Sequence, residues 1–121
     1  MLFDVESTSI AGRPALTVRG ELDLETAPQF AAAVDAALAA GPRALVVDLT
    51  PTTFLDSSGA RQIALTARQA IAAGVVFHVI APRSNGPVRL TVDLLELGAF
   101  VPIVGEPAEI PTSIFGRDTA T

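Results

Sequence analysis

The feature that most constrains this chain is an apolar run at residues 44–49 that leads to the segment Asp56-Ser57-Ser58-Gly59. A nearly continuous apolar run of this length is typical of a central strand that is covered on both faces. Apolar residues then recur at helical spacing, and the predicted buried stripe contains Ala60, Ile63, Ala64, Ala67, Ala70 and Ile71. Two adjacent hydroxyl groups therefore lie where a strand gives way to a helix, whose N-terminus carries free N–H groups and partial positive charge.

The rest of the chain alternates strand and helix patterns. Further strands are predicted at residues 2–9, 15–19, 75–80 and 101–104, with helices from Thr26, from near Ser57 and over residues 88–97. This order, β-β-α-β-α-β-α-β, predicts an α/β fold with helices packed on a mixed, mainly parallel β-sheet and right-handed crossovers. We expect a single domain over residues 1–104 and a mostly irregular tail over residues 105–121.

Local signals define the ends of several elements. Thr26 and Gln29 have the spacing of a capping box at the start of the first helix, and Gly41-Pro42 ends that helix. Asp56 is a natural N-cap for the second helix, with Ser57 as a further cap or a minor modification site. The segment Arg83-Ser84-Asn85 is interpreted as a solvated loop.

Composition excludes several classes of function. The net charge is −5, which argues against a nucleic-acid partner, because such a partner requires a basic stripe. Every basic residue is arginine, which excludes a lysine nucleophile. The chain contains no cysteine, which removes disulfides, zinc–thiolate sites and thiol chemistry. Residues 1–6 are unlike a signal peptide, and no apolar run approaches the roughly 18 residues of a membrane span. We expect a cytoplasmic protein that neither binds nucleic acid nor inserts into a membrane.

The residues do not form a recognisable catalytic constellation. A hydrolase would need a base near Ser58 and a third group to orient that base. His78 is the only histidine, and it lies in the middle of a predicted strand rather than at its end. The Asp-Ser-Ser-Gly segment also differs from the Gly-x-Ser-x-Gly nucleophile elbow. Because metal-ligand spacings and a glycine-rich phosphate loop are missing as well, we predict a protein that is not an enzyme and uses no cofactor or metal.

Three segments, taken in order, resemble the STAS domain of anti-sigma factor antagonists. They are Gly20-Glu21-Leu22-Asp23 before the Thr26 helix, Asp48-Leu49 leading to Phe54-Leu55-Asp56-Ser57-Ser58-Gly59, and the weaker match Leu94-Leu95-Glu96-Leu97-Gly98. The resemblance covers residues 2–104 and implies the STAS fold. The chain departs from the family pattern at Pro51, at Ala60-Arg61 and in a tail that lacks a helical pattern.

The resemblance implies a partner-switching mechanism. In such a family the unphosphorylated antagonist binds an anti-sigma factor that is a GHKL-type serine kinase, and this binding releases a sigma factor. The kinase phosphorylates the residue directly before the motif glycine, which is Ser58 here. The phosphorylated protein no longer binds, and a phosphatase acting on phospho-Ser58 resets the switch. An ordinary serine at the start of a helix is the alternative interpretation of Ser58.

A partner-binding surface around Ser58 is also predicted. The resemblance implicates Asp23 and Asp56, with a cap at the entry to the Thr26 helix as the alternative interpretation of Asp23. Gly59 is expected to leave the backbone uncrowded so that a partner approaches closely. At 100° per residue, Arg61, Gln62 and Leu65 fall on the same side of the helix as Ser58. An apolar residue ringed by polar groups is typical of a binding hot spot, although a lone surface leucine is also common. The predicted surface is Asp23, Asp56, Ser57, Ser58, Gly59, Arg61, Gln62 and Leu65.

Two other functions are compatible with a STAS domain. The chain could be the STAS subunit of an ABC-type transport complex, docked on the ATPase, or a component of a stressosome-like scaffold. A transport subunit would tolerate loss of the Ser58 hydroxyl. Neighbouring genes for a kinase-type anti-sigma factor would favour the antagonist, and genes for a permease and an ATPase would favour transport.

Overall fold

The computed structural model describes residues 2–111, which form a six-stranded sheet and three α-helices. The strands are β1 (Asp4–Ile10), β2 (Arg13–Leu22), β3 (Ala44–Asp48), β4 (Thr52–Leu55), β5 (Val76–Ile80) and β6 (Ile103–Val104). The helices are α1 (Ala27–Ala39), α2 (Ser57–Ala72) and α3 (Gly86–Leu94), and short 3-10 turns lie at Leu97–Ala99 and Pro107–Glu109. In this part of the chain, none of the helices has both the length and the apolar character needed to cross a bilayer.

The sheet is mixed and mainly parallel, as predicted. Its strand order is β1-β2-β3-β5-β6, and β4 pairs with β2 beyond the end of β3. The β1–β2 pair is antiparallel and all the other pairs are parallel. The hairpin turn at Ala11 and Gly12 has positive φ angles of 52° and 76°. Both central residues of a type I′ turn need positive φ, and such a turn matches the twist of the two strands that it joins.

The main hydrophobic core lies between the sheet and the helices. It joins inward residues of the strands, such as Val47 and Val79, to Phe30 of α1, Ile63 of α2 and Val88 of α3. The opposite face of the sheet carries a smaller cluster of Ala15, Val46, Ile80 and Ile110. Strand β3 is therefore covered on both faces, which is what its continuous apolar run predicted.

Strand β4 was not predicted. Thr52–Leu55 contains two threonines after a proline and has no apolar alternation. It becomes a strand because β2 extends past the end of β3 and offers free pairing groups, with the register shifting between Gly20 and Glu21. The buried Thr52 hydroxyl donates to the Val18 carbonyl at 2.7 Å, so its burial carries no unpaired polar group.

Two predicted helix details are wrong. Helix α3 ends at Leu94 rather than at residue 97, because Glu96 adopts a left-handed conformation with φ 50° that no α-helix continues through. In α2, Ile71 is 71% exposed and does not belong to the buried stripe. Thr66 is buried in the helix instead, and its hydroxyl donates to the Gln62 carbonyl at 2.9 Å. This bond satisfies the hydroxyl, so a polar residue can occupy a buried position.

The first part of the predicted tail packs on the sheet. Ile110 is 2% exposed within the smaller cluster, and an Arg13 guanidinium N–H donates to the Pro111 carbonyl at 2.7 Å. Glu109 accepts hydrogen bonds from the Gly105 amide and from Arg83. Residues 112–121, which the sequence also predicted to be irregular, lie outside the described residues, and the domain boundary at residue 104 stays a prediction.

Candidate partner-binding site

Asp56 caps the N-terminus of α2, as predicted. Its backbone is extended, with φ −104° and ψ −176°, and its carboxylate accepts a hydrogen bond from the Gly59 amide at 2.8 Å. Ser57 and Ser58 are therefore the first two helical residues, and Ser57 does not act as the cap. Ser57 is exposed and Ser58 is partly buried, and neither hydroxyl hydrogen-bonds to another described residue. The helix thus presents two unengaged hydroxyl groups in its first turn.

Gly59 has a different role from the predicted one. It is buried, and a β-carbon added there would overlap the Leu22 carbonyl oxygen and lie 2.8 Å from Leu55 Cδ1. The end of β2 occupies the position that a side chain at residue 59 would take, so a partner cannot approach the backbone there. Only glycine lets the first turn of α2 approach the sheet this closely. The Asp56 amide also donates to the Leu22 carbonyl, at 3.3 Å, which ties the same two elements together.

The turn after β2 is organised by Asp23 rather than by a capping box at Thr26. The Asp23 carboxylate accepts from the amides of Glu25 at 3.0 Å and Thr26 at 3.1 Å. The Thr26 hydroxyl accepts from the Asp23 amide and donates to the Glu21 carbonyl at 2.7 Å. Thr26 already has helical backbone angles, φ −94° and ψ −16°, and makes no side-chain cap. The capping box was therefore wrong, because a capping side chain needs extended backbone at that residue.

The two motifs that were singled out in the sequence meet at Leu22. Gly59 packs against the carbonyl of Leu22, and Asp23 follows Leu22 directly in the chain. The Asp23 turn therefore begins at the contact that positions Asp56, Ser57 and Ser58. These four side chains share one end of the sheet, at the carboxyl ends of β2 and β4.

The outer face of α2 has the orientation that helical periodicity predicted. Arg61 and Leu65 are exposed and Gln62 is partly exposed, whereas Ile63 and Ala67 are buried against the sheet. Leu65 is 38% exposed, which is the lowest value among the exposed large apolar side chains of the described residues. The predicted outward orientation of these residues is therefore confirmed, with Leu65 one to two turns from Ser58, and their contact with a partner stays a prediction.

Two residues that support this end of the sheet were missed. The Thr91 hydroxyl of α3 donates to the Leu55 carbonyl at 2.6 Å, directly before Asp56. Asn85 is not a solvated loop residue: its amide donates to the Thr52 carbonyl at 2.8 Å and to that of Leu49 at 3.2 Å, while its oxygen caps α3. The Asn-Gly-Pro order is a helix-start signal that could have identified Asn85. No local signal identifies Thr91, since its bond depends on helix packing.

His78 lies on the opposite side of the sheet from the serines. Its strand neighbours Phe77 and Val79 belong to the helix-facing core, so the imidazole points to the other face. It is 9% exposed, and its Nδ1 has no hydrogen-bond partner among the described residues. Burial, followed by the positive charge of Arg13, lowers the pKa of His78. The imidazole cannot serve as a base for Ser58 through the intervening sheet.

Comparisons with known proteins identify the family. A family model described as "Mlab, STAS domain" matches residues 7–102. The chain belongs to this STAS domain family. The anti-sigma-F factor antagonist RsfB of Mycobacterium tuberculosis (strain CDC 1551 / Oshkosh) is 39% identical over 81 residues, which are 65% of this chain. That match spans 66% of RsfB, just under two thirds of its length.

Solved structures share the fold. An anti-sigma factor antagonist from Mycobacterium paratuberculosis is 28% identical, and the match covers 87% of each chain with a TM-score of 0.76. The Bacillus cell fate determinant SpoIIAA in its phosphorylated form is 20% identical over 99% of this chain and 100% of that one, with a TM-score of 0.55. At that identity the second likeness shows the fold alone.

Proposed function

We propose that this chain is an anti-sigma factor antagonist that works in the cytoplasm. It binds an anti-sigma factor of the GHKL serine-kinase type, and this binding frees a sigma factor for transcription. Two similarities support the proposal: the relative RsfB and the Mycobacterium paratuberculosis structure are both named as anti-sigma factor antagonists. The observation that carries it is the first turn of α2, where serine hydroxyls that bond to no other residue in the described part of the chain lie at the same end of the sheet as the Asp23 turn.

Ser58 is the proposed phosphorylation site. A phosphate adds about −1.5 to −2 units of charge, which the N-terminus of α2 favours and the nearby acids Asp23 and Asp56 oppose. The packing of Gly59 on Leu22 holds the start of the helix in place, so the phosphate has little scope to rearrange the fold. The phosphate therefore acts at the interface, through repulsion and desolvation, where each loss of about 1.4 kcal/mol weakens affinity tenfold.

The proposed partner surface extends from the Asp23 turn along the outer face of α2. Asp23, Asp56, Ser57 and Ser58 form one end, and the exposed side chains farther along the helix are Arg61, Gln62 and Leu65. Leu65 supplies the apolar anchor. Gly59 acts on this surface through positioning, because it is buried against Leu22.

The chain is proposed to be a substrate and a ligand rather than an enzyme. In phosphoryl transfer the kinase supplies the nucleotide, the metal ions and the base, so the substrate contributes only an accessible hydroxyl. Ser58 meets that requirement, and His78 lies behind the sheet. A phosphatase that acts on phospho-Ser58 completes the cycle.

The test is intact-mass measurement after the protein is incubated with ATP and each GHKL-type kinase of the same genome. We expect one kinase to add a single phosphate, which is lost in Ser58→Ala and kept in the matched variant Ser57→Ala. A stable complex without phosphate transfer would contradict the switch. A STAS subunit of a transport complex would bind its ATPase equally well as Ser58→Ala and Ser58→Asp, so the same variants separate these two functions.

A further inference from the structure

A second feature of the partner face lies beside Leu65, away from the phosphorylation site. Arg61, Ala64, Leu65 and Arg68 of α2 and Phe100, which follows the Leu97–Ala99 turn, line a surface depression of about 450 Å³. We call this depression the Leu65 groove. Phe100 is 70% exposed and lies beside Leu65, which is also an exposed apolar residue. Exposed apolar side chains that adjoin one another often mark an interaction site. The floor of the groove is therefore an apolar surface that nothing in residues 2–111 covers.

The charges around this floor have one sign. Arg61 and Arg68 flank Leu65 along α2, and neither makes a hydrogen bond or an ion pair with another described residue. By contrast, Arg19 pairs with Glu6 and Arg83 with Glu109, each at 3.0 Å. None of the residues that line the groove is acidic, although the whole chain has a net charge of −5. Two guanidinium groups that have no partner among residues 2–111 thus lie on either side of the apolar Leu65 side chain along α2.

The other side of Leu65 has a different character. The depression between α1 and α2 contains Asp35, whose carboxylate accepts a hydrogen bond from Gln69 at 3.3 Å. A partner group bound on that side would meet a mixture of amides and both charges. Only the side that faces Phe100 combines apolar contact with an unopposed positive charge.

We propose that the Leu65 groove binds a segment of the anti-sigma factor in which an apolar side chain lies between carboxylates. The apolar side chain packs on Leu65 and Phe100, and the carboxylates pair with Arg61 and Arg68. Guanidinium groups suit this role because they bind carboxylates through two parallel hydrogen bonds. This proposal rests on the proposed function, since it assigns chemistry to the partner of that same site.

The position of the groove agrees with a single continuous interface. Ser58, Arg61, Leu65 and Arg68 follow one another at spacings of three, four and three residues, which form one stripe on a helix. At 1.5 Å per residue, Ser58 and Arg68 are about 15 Å apart along the axis. One partner can therefore cover both ends. The groove lies far enough from Ser58 to hold the kinase while the kinase reaches the serine.

The experiment measures the affinity of the full chain for the kinase identified by the mass measurement, at 0.05 M and 0.5 M salt. We expect Phe100→Ala and Arg68→Gln each to weaken binding about tenfold or more at low salt. The matched controls are Leu94→Ala, which removes another exposed apolar side chain, and Ala108→Glu, which changes the net charge equally on a distant exposed turn. Both controls should bind as the unaltered protein does. The affinity of Arg68→Gln should also depend less on salt.

The outcomes separate this proposal from the proposed function. If Ser58→Asp prevents binding while Phe100→Ala and Arg68→Gln bind normally, the groove is not part of the interface and the antagonist function stands. If no GHKL-type kinase binds the unaltered protein, the function fails and the groove proposal fails with it. Thermal unfolding of each variant excludes loss of the fold as the cause; the Arg68 and Phe100 side chains are exposed, and Ser58 is partly buried.

Discussion

Gly59 packs against the main-chain carbonyl of Leu22 so closely that a β-carbon at Gly59 would overlap that oxygen. This contact joins the first turn of α2 to the last residue of β2. Asp23 begins the next turn, so the same contact sets the acidic turn beside the two serines. Two motifs that are well separated in the chain thus become one surface through a single glycine.

Gly59→Ala tests this contact. Because the added methyl group would be forced against main chain rather than against a flexible side chain, we expect the free energy of unfolding to fall by about 1–3 kcal/mol or more. Gly98→Ala is the matched control, since a β-carbon there meets nothing within 4 Å and the residue has no left-handed φ. Urea unfolding of both variants measures the difference. Equal stability of the two would contradict the contact.

A substitution at Asn85 tests the hydrogen bonds that its amide donates to the carbonyls of Leu49 and Thr52. Asn85→Asp keeps an oxygen that can cap α3 but replaces the amide donor with a carboxylate that faces the Thr52 carbonyl. We expect this variant to lose about 1–3 kcal/mol of stability, the usual cost of a buried acceptor left unpaired. Asp56→Asn makes the reverse exchange, of a carboxylate for an amide. It should change stability by less, because the Asp56 side chain only accepts a hydrogen bond from the Gly59 amide and the asparagine oxygen can accept the same bond. Denaturant unfolding of both variants measures the two changes in stability, and an equal change in both would contradict the role of the Asn85 amide.

Glu96 lies two residues after the end of α3 and has a left-handed φ of 50°. This conformation costs a residue with a β-carbon roughly 1–2 kcal/mol, and glycine avoids that cost but loses about 0.5–1 kcal/mol through a more flexible unfolded chain. Glu96→Gly should therefore stabilise the protein by several tenths of a kcal/mol. Asp93→Gly, in the ordinary helical conformation, should destabilise it. Melting temperatures of the two variants should move in opposite directions.

We expect the buried His78 to make the folded protein less stable in mild acid. Burial, and then the charge of Arg13, lowers the pKa of His78 from its ordinary value of 6.5. The unfolded chain then binds a proton at a higher pH than the folded protein does. The neutral imidazole is therefore favourable to folding above pH 6.5, and this contribution is lost as the pH falls towards the lowered pKa.

Comparison with His78→Gln isolates this effect from the titration of the acids. Unfolding by urea at pH 7.5 and at pH 5 should show a larger decrease for the unaltered protein than for the variant. The same decrease in both proteins would mean that His78 does not titrate differently on unfolding. The comparison requires only the difference between the two proteins, because the acidic groups are common to both.

Much of the fold followed from local patterns. The apolar run of β3 predicted a strand covered on both faces, and the order of elements predicted a mainly parallel sheet, because strand and helix periods depend on residues close in sequence. The Asp56 cap was predictable for the same reason, since its partner is the amide of Gly59. Thr26 was misassigned because a capping box and an Asp23 turn use the same residue types at almost the same positions.

Local patterns were therefore enough to predict the central strand, the order of the elements other than β4, the cap at Asp56 and the side of α2 that carries Arg61 and Leu65. Three features follow from packing of the folded chain: β4 pairs with β2, Gly59 contacts Leu22, and Phe100 lines the same groove as Leu65. The two groups of features differ in the sequence separation of the residues that interact. Caps and periodicities act within a few residues, whereas pairing register and helix packing join residues that no local pattern connects.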